Sequence, residues 1–256
     1  MLKVHGLKKS FAGIRAVDGV GFEVAAGECV ALIGPNGAGK STCFACIAGQ
    51  YAPDSGDVRW QGERINRFSP AARLRAGVAR TFQVAQVFEA LTVLQNVQLA
   101  LTALQGSAAM SGFKKLASQA TFDAADLLAQ TGLTACADSD AGRLPYGAKK
   151  RLELAIALAA KPGLLLLDEP AAGLAIEERA SLMKQVKALA GAGMAILYTE
   201  HNMDAVAGVA DRVLVLMEGQ LVAQGSFEAI ASNPLVRSRY LGSDASSGGY
   251  PGSGHA

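Results

Sequence analysis

Three stretches of the chain are apolar at every position and stop abruptly at polar turns. CVALI at Cys29–Ile33 runs into GPNGAGKST, LLLL at 164–167 into DEP, and MAILY at 194–198 into TEH. Each has strand length and is followed by a helical pattern. A strand with one wet face alternates apolar and polar residues, so an unbroken apolar run fits a parallel strand buried on both faces. In sheets of that kind, ligands bind beyond the carboxyl ends of the strands. The three turns are therefore where chemistry is expected.

The middle third reads differently. From about residue 92 to 133 the apolar spacing favours helices: VLQNVQLALTAL, then QATFDAADLLAQTG closing on Gly132 as a C-cap. Residues 78–83 read as a strand entering a loop. The pattern predicts an α/β core interrupted by a helical insertion over about 84–160. Late alternation in Arg212–Met217 and in 220–223, divided by Glu218-Gly219, predicts a β-hairpin. There is no internal repeat, and the Gly/Ser-rich stretch 243–256 reads as a flexible tail.

Composition narrows the class. Of 256 residues, 50% are apolar, and 24 Lys+Arg against 22 Asp+Glu leave a formal charge of +2. That balance gives no basic footprint for nucleic acid. A mean hydropathy of +0.24 raises the question of a membrane span. The longest uncharged stretch, 90–113, exceeds the roughly 20 residues a span needs. It carries Gln95, Asn96, Gln98 and Gln105, however, and is too polar to span. MLKVHGLKKSF lacks the continuous apolar segment of a signal peptide. Four cysteines exclude a disulfide scaffold and fit a reducing compartment. Cys43 and Cys46 form C-x-x-C, but they lie one helical turn apart without a second ligand pair, which fits buried helix packing better than zinc or redox work.

Gly34-Pro35-Asn36-Gly37-Ala38-Gly39-Lys40-Ser41 matches the phosphate-loop pattern G-x-x-x-x-G-K-[ST]. It lies in the required context, between a buried strand and a helix opening at Thr42. Its glycines let successive N–H groups converge on phosphate oxygens at a positive helix end. Lys40 is expected to reach the β/γ-phosphates and Ser41 to offer its hydroxyl to Mg²⁺. The plainer alternative is a glycine-rich turn with an ordinary exposed lysine.

Asp168-Glu169 ends the leucine run, as in a Walker B strand. Asp168 is placed to hold the Mg²⁺ shell, and Glu169 to act on the water attacking the γ-phosphate. Without a phosphate loop in the chain, the same residues would read as a solvated acidic turn. His201 ends the third run, where it either hydrogen-bonds the γ-phosphate or is a structural histidine.

These motifs are joined by Leu144-Pro145-Tyr146-Gly147-Ala148-Lys149-Lys150-Arg151-Leu152, some two dozen residues before Glu169. The segment and the motif order resemble the ATP-binding-cassette (ABC) ATPases over residues 2–242. The segments ARTFQ at 79–83, LTVLQNV at 91–97 and 144–153 are similar to the ATPases of branched-chain amino-acid importers. The long helical stretch and the ending RYLG at 239–242 resemble the longer of that importer's two ATPase subunits. The resemblance implies a P-loop core, an N-terminal antiparallel β subdomain and an inserted helical subdomain, within one domain over 1–242. It implies ATP and Mg²⁺ as ligands, with Phe11 stacking on adenine and Gly34–Thr42 holding phosphates. It also implies that Gln83 joins Glu169 and His201 in catalysis and Ser41 and Asp168 at the metal. Tyr146 and Gly147 would meet the nucleotide of a second ATPase subunit.

The partners implied are that second subunit, transmembrane permease subunits reached through 84–88 and, indirectly, a solute-binding protein. The location implied is peripheral, on the cytoplasmic face of the membrane. The alternatives are a urea or amide importer, a soluble cassette acting in DNA repair or on ribosomes, and a small-molecule kinase. Two residues depart from the family pattern. Pro145 stands where serine is common and has neither hydroxyl nor N–H to give a phosphate. Ala175 replaces an Asp or Asn and cannot form the polar link expected between the two subunits.

Overall fold

In the computed structural model the chain first folds back on itself. β1 (Leu2–Phe11) and β2 (Ile14–Val24) form an antiparallel pair. β3 (Cys29–Ile33) then leaves this pair and leads through the phosphate loop into α1 (Lys40–Ala48). β4 (Ser55–Trp60) and the short β5 (Glu63–Arg64) complete a four-stranded antiparallel sheet of order β2-β1-β4-β5. The described residues are 1–105 and 113–241; the tail expected over 243–256, like Gly242, lies outside them.

A second sheet holds the apolar runs. α2 (Pro70–Arg75) and β6 (Val78–Arg80) precede three helices: α3 (Val93–Gln105), α4 (Phe113–Gln130) and α5 (Tyr146–Leu158). β7 (Leu164–Asp168), α6 (Ile176–Gly191), β8 (Ala195–Thr199) and the short α7 (Met203–Val206) follow. β9 (Arg212–Met217) and β10 (Gln220–Gly225) form the expected hairpin, and α8 (Phe227–Ala231) comes after it. The order across this sheet is β10-β9-β3-β8-β7-β6, parallel except for β10. As a strand entering a loop should, 78–83 is strand through Arg80, and residues 82–90 then run mostly exposed.

The absence of alternation now has a direct cause. Along β3, Val30 and Leu32 enter one core with α1 and the antiparallel sheet, while Cys29, Ala31 and Ile33 enter another with α5 and α6. β7 and β8 divide their residues the same way, so each strand is buried on both faces. The helices between β6 and β7 have a third core of their own, built on Val93, Val97, Leu101, Leu128 and Leu133. α5 joins the two regions: Leu154, Ala157 and Leu158 face the sheet, whereas Leu152, Ala155 and Ala159 face α3 and α4. Cys43 and Cys46 are buried in α1, as packing residues would be.

Candidate active site

Four adjacent strands, β3, β8, β7 and β6, end side by side, and their carboxyl ends carry the polar turns. Backbone conformation shapes the first of these. A Cβ on Gly34 (φ +146°) would stand 2.0 Å from the Leu216 carbonyl oxygen of β9. On Gly39 (φ +98°) it would stand 2.0 Å from the Ala16 carbonyl oxygen of β2. Only glycine lets the loop lie against both strands. Asn36, Gly37 and Ser41 are exposed at its rim, Pro35, Gly39 and Thr42 are half-buried, and Ala38 is buried.

α1 then starts without a capping side chain and without an acidic residue in its first turn. Its leading N–H groups, at Lys40, Ser41 and Thr42, have no acceptor within the helix and suit an anion. The buried Lys40 ammonium donates to the carbonyls of Gly34 at 2.6 Å and Pro35 at 3.0 Å. Burial pulls its pKa below the usual lysine value, while the charges of Glu169 and Asp168 oppose that shift.

At the end of β7, Asp168 pairs in register with Thr199 of β8. The Thr199 hydroxyl donates to Asp168 Oδ1 at 2.8 Å and accepts the Glu169 N–H at 2.9 Å. Asp168 Oδ2 accepts from Arg80 Nη2 at 2.7 Å, and the same guanidinium bonds Gln50 and lies 5.2 Å from the Phe82 ring centroid. Glu169 is held in a left-handed conformation, φ +47°, a strained position for a residue with a side chain. Its Oε2 accepts from Gln83 Nε2 at 2.9 Å and lies 3.8 Å from His201 Nδ1. Residues following three different strands thus meet at one carboxylate.

Other expected site residues are placed around this centre. Phe11, at the end of β1, is exposed and packs edge-on to Tyr51 at 5.2 Å between centroids, with Lys9 Nζ 5.4 Å from its ring. No bond joins Ser41 to Asp168 among the described residues, and Asp168 already accepts from Thr199 and Arg80. No group of three His, Cys, Asp or Glu residues gathers into a metal cage among the described residues. A lone hydroxyl and one carboxylate still suit Mg²⁺, which is commonly held by few protein oxygens together with substrate phosphates.

Tyr146 and Gly147 make contacts within their own chain. The Tyr146 hydroxyl donates to the Gln83 carbonyl at 3.2 Å, and its ring lies 3.2 Å from where a Cβ of Gly173 would stand. Gly147 is buried, with Glu178 Oε1 2.6 Å from where its own Cβ would be. A Cβ there would press on that carboxylate, so glycine suits the packing against α6.

Five further residues organise the site without having been singled out in the sequence. Thr199 joins the acid pair to β8. Arg80 neutralises Asp168. Glu200, 1% exposed, accepts from the N–H groups of Ala171 at 3.0 Å and His201 at 3.3 Å, so it ties the turn after Glu169 to the turn carrying His201. Burial raises its pKa, and those N–H groups work against the rise. Lys150 and Glu153 hold the chain at residues 82–83. The available signal was spacing: Lys150, Glu153, Leu154 and Ala157 fall at i, i+3, i+4 and i+7, one face of a helix that buries its apolar members.

A glycine-shaped loop closing on a helix N-terminus, beside an acid pair at the end of a parallel strand, defines a P-loop nucleotide-hydrolysing fold. The family model described as ABC transporter matches residues 17–172. The high-affinity branched-chain amino acid transport ATP-binding protein BraF of Pseudomonas aeruginosa is 37% identical over 249 residues, which cover 94% of this chain and 98% of that protein. A crystal structure of a nucleotide-free ATP-binding cassette from an ABC transporter superposes with a TM-score of 0.84 at 30% identity, covering 94% of this chain and 99% of its own. A dimeric ATP-binding cassette in a post-hydrolysis state, bound to ADP and Pi, matches with a TM-score of 0.77 at 25% identity over 89% of this chain and 99% of its own. The chain belongs to the ABC transporter family and is an ATPase of that family.

Proposed function

We propose that the chain hydrolyses Mg²⁺-ATP at the strand ends just described and so powers import of branched-chain amino acids. The observation that carries the hydrolytic part is the meeting of Gln83 and His201 at Glu169 Oε2, beside the phosphate loop. The substrate reading rests on BraF, a branched-chain amino acid transport protein over nearly its whole length.

The residues divide the work as follows. The exposed ring of Phe11, backed by Tyr51, offers a face to adenine. The N–H groups of the loop and of the first turn of α1 take the β- and γ-phosphates, and Lys40 exchanges its two loop carbonyls for phosphate oxygens. Ser41, Asp168 and the amide oxygen of Gln83 are the groups that would hold Mg²⁺, which would supply positive charge against the phosphates. Glu169 accepts a proton from the attacking water, while the Gln83 amide keeps its carboxylate in place. His201, on the exposed side of Glu169, reaches toward the γ-phosphate.

The same reading gives the chain its partners. A second cassette would close over the nucleotide with its signature helix and exclude water; the dimeric relative bound to ADP and Pi supports this arrangement. In this chain the corresponding helix, α5, begins at Pro145 with no capping side chain. Ala175 begins α6 with its N–H donated to Glu178 at 3.4 Å. Among the described residues no helix is long and apolar enough to cross a membrane, so docking on separate permease subunits falls to the surface. Val84 and Phe88 stand 65% and 60% exposed beside Gln83, an apolar step suited to a permease's cytoplasmic helix. Val87, expected to share that surface, packs against the core of the helical region instead.

The test is uptake by the assembled importer in proteoliposomes supplied with ATP. Leucine, isoleucine and valine are expected to accumulate, and Lys40→Ala is expected to stop them. Accumulation of urea or an amide without leucine would overturn the substrate reading.

A further inference from the structure

α5 grips the segment that carries Gln83 more firmly than packing requires. The Lys150 ammonium, only 4% exposed, donates to the carbonyls of Phe82 at 2.8 Å and Gln83 at 2.5 Å. Glu153, one turn along α5 and equally buried, accepts the Phe82 N–H at 2.8 Å and lies 3.9 Å from Lys150. The Tyr146 hydroxyl adds a third donor to the pair of carbonyls. Two opposite charges have thus been taken out of water. Such a buried pair seldom repays its desolvation through mutual attraction alone. At 3.9 Å their mutual contact is loose, whereas each makes a short bond to the backbone of residues 82–83. That backbone is also where the Gln83 side chain starts on its way to Glu169.

We infer that Lys150 and Glu153 are positioning residues for hydrolysis: as a buried clamp on the backbone of Phe82 and Gln83, they set the reach of the Gln83 amide to Glu169. The inference rests on the proposed roles of Gln83 and Glu169. It also gives α5 a second duty. The first turn of this helix carries Tyr146 and Gly147, the residues that would meet a second cassette's nucleotide. A displacement of α5 on closure would therefore be passed to this chain's own Glu169 through Lys150, the Gln83 carbonyl and the Gln83 amide. The linkage joins residues 67 positions apart and needs no movement of the sheet.

The experiment uses the full chain, measuring steady-state ATP hydrolysis, equilibrium ATP binding and backbone amide exchange. Lys150→Met keeps the length of the aliphatic stem and removes the ammonium donors. It should lower kcat by about ten- to a hundredfold, the upper figure being the cost of misplacing a catalytic group by about 1 Å, with the ATP dissociation constant within about twofold of the parent. Lys150→Arg should recover most of the loss. Exchange at the Phe82 amide should quicken in both Lys150→Met and Glu153→Gln. In a Gln83→Ala background, Lys150→Met should cost nothing further. Should Lys150→Met fail to fold, Tyr146→Phe removes only a rim hydroxyl from the same carbonyl and should lower kcat about twofold.

An equal loss of kcat in the parent and Gln83→Ala backgrounds would overturn the inference, and so would a loss confined to ATP affinity. An unchanged rate in Gln83→Ala itself would instead overturn the role proposed for Gln83, which keeps the two failures apart.

Discussion

The two halves of the site are built on opposite principles. At the phosphate loop the backbone does the positioning: glycines at Gly34 and Gly39 lay it against β9 and β2, and its N–H groups face outward at an uncapped helix end. In the helical region, side chains position the backbone. Lys150, Glu153 and Tyr146 hold residues 82–83, and Asn96 holds Phe88 by both its N–H at 2.8 Å and its carbonyl at 3.0 Å. The first device leaves donors free for a ligand. The second bonds backbone groups of residues 82, 83 and 88 so that an exposed segment, 84–88, keeps one shape between its two pins. Damage to the first should show in binding, and damage to the second in turnover and transmission.

That contrast can be broken by single substitutions. Lys40→Ala should weaken ATP binding about a hundredfold, since a charge-assisted bond to phosphate is worth about 1.5–3 kcal/mol. A nucleotide titration checks this, and unchanged affinity would remove the phosphate loop from the account. Asn96→Ala, on the other side, should destabilise the chain by about 2 kcal/mol, because it removes the partner of the Phe88 N–H and leaves the Phe88 carbonyl only its bond from the Leu91 N–H. Urea unfolding measures that loss. ATP affinity should stay within twofold while transport per ATP hydrolysed falls, and a fall in affinity instead would blur the division drawn here. Phe11→Ala should weaken ATP binding about fivefold, the worth of one aromatic face. Pro145→Ser should have the smallest effect, a gain of about twofold in hydrolysis of the partner's nucleotide, because a serine adds one exposed hydroxyl and one N–H at the start of α5. A larger gain would mean that the proline holds that composite site back.

The same contrast explains what could be read from the sequence. The three apolar runs are strands because each divides its residues between two cores, and that leaves an unbroken pattern visible in a single chain. The phosphate loop was legible because its parts are neighbours in sequence, and the hairpin at β9 and β10 because its turn is local. The grip on residues 82–83 was not, since its partners lie 63–71 positions away. Arg80 stands 88 residues from Asp168, and nothing near it marks it as that acid's partner. Tyr146 and Gly147 belong to a motif that points to a partner's nucleotide, but their placement also answers to packing: Gly147 makes room for Glu178, and Tyr146 rests on Gly173. A motif names the residues present, whereas a second, structural reason for each appears only once distant elements are brought together.

The role proposed for Glu169, steadied by Gln83 and set beside the phosphate loop, is activation of the attacking water. It is tested most directly by single-turnover hydrolysis of bound ATP in Glu169→Gln, with bound nucleotide measured in the same sample. Full ATP occupancy is expected, with a hydrolysis rate lowered about 10²–10⁴-fold, the contribution of a positioned general base. Hydrolysis at the parent rate with ATP bound would contradict it.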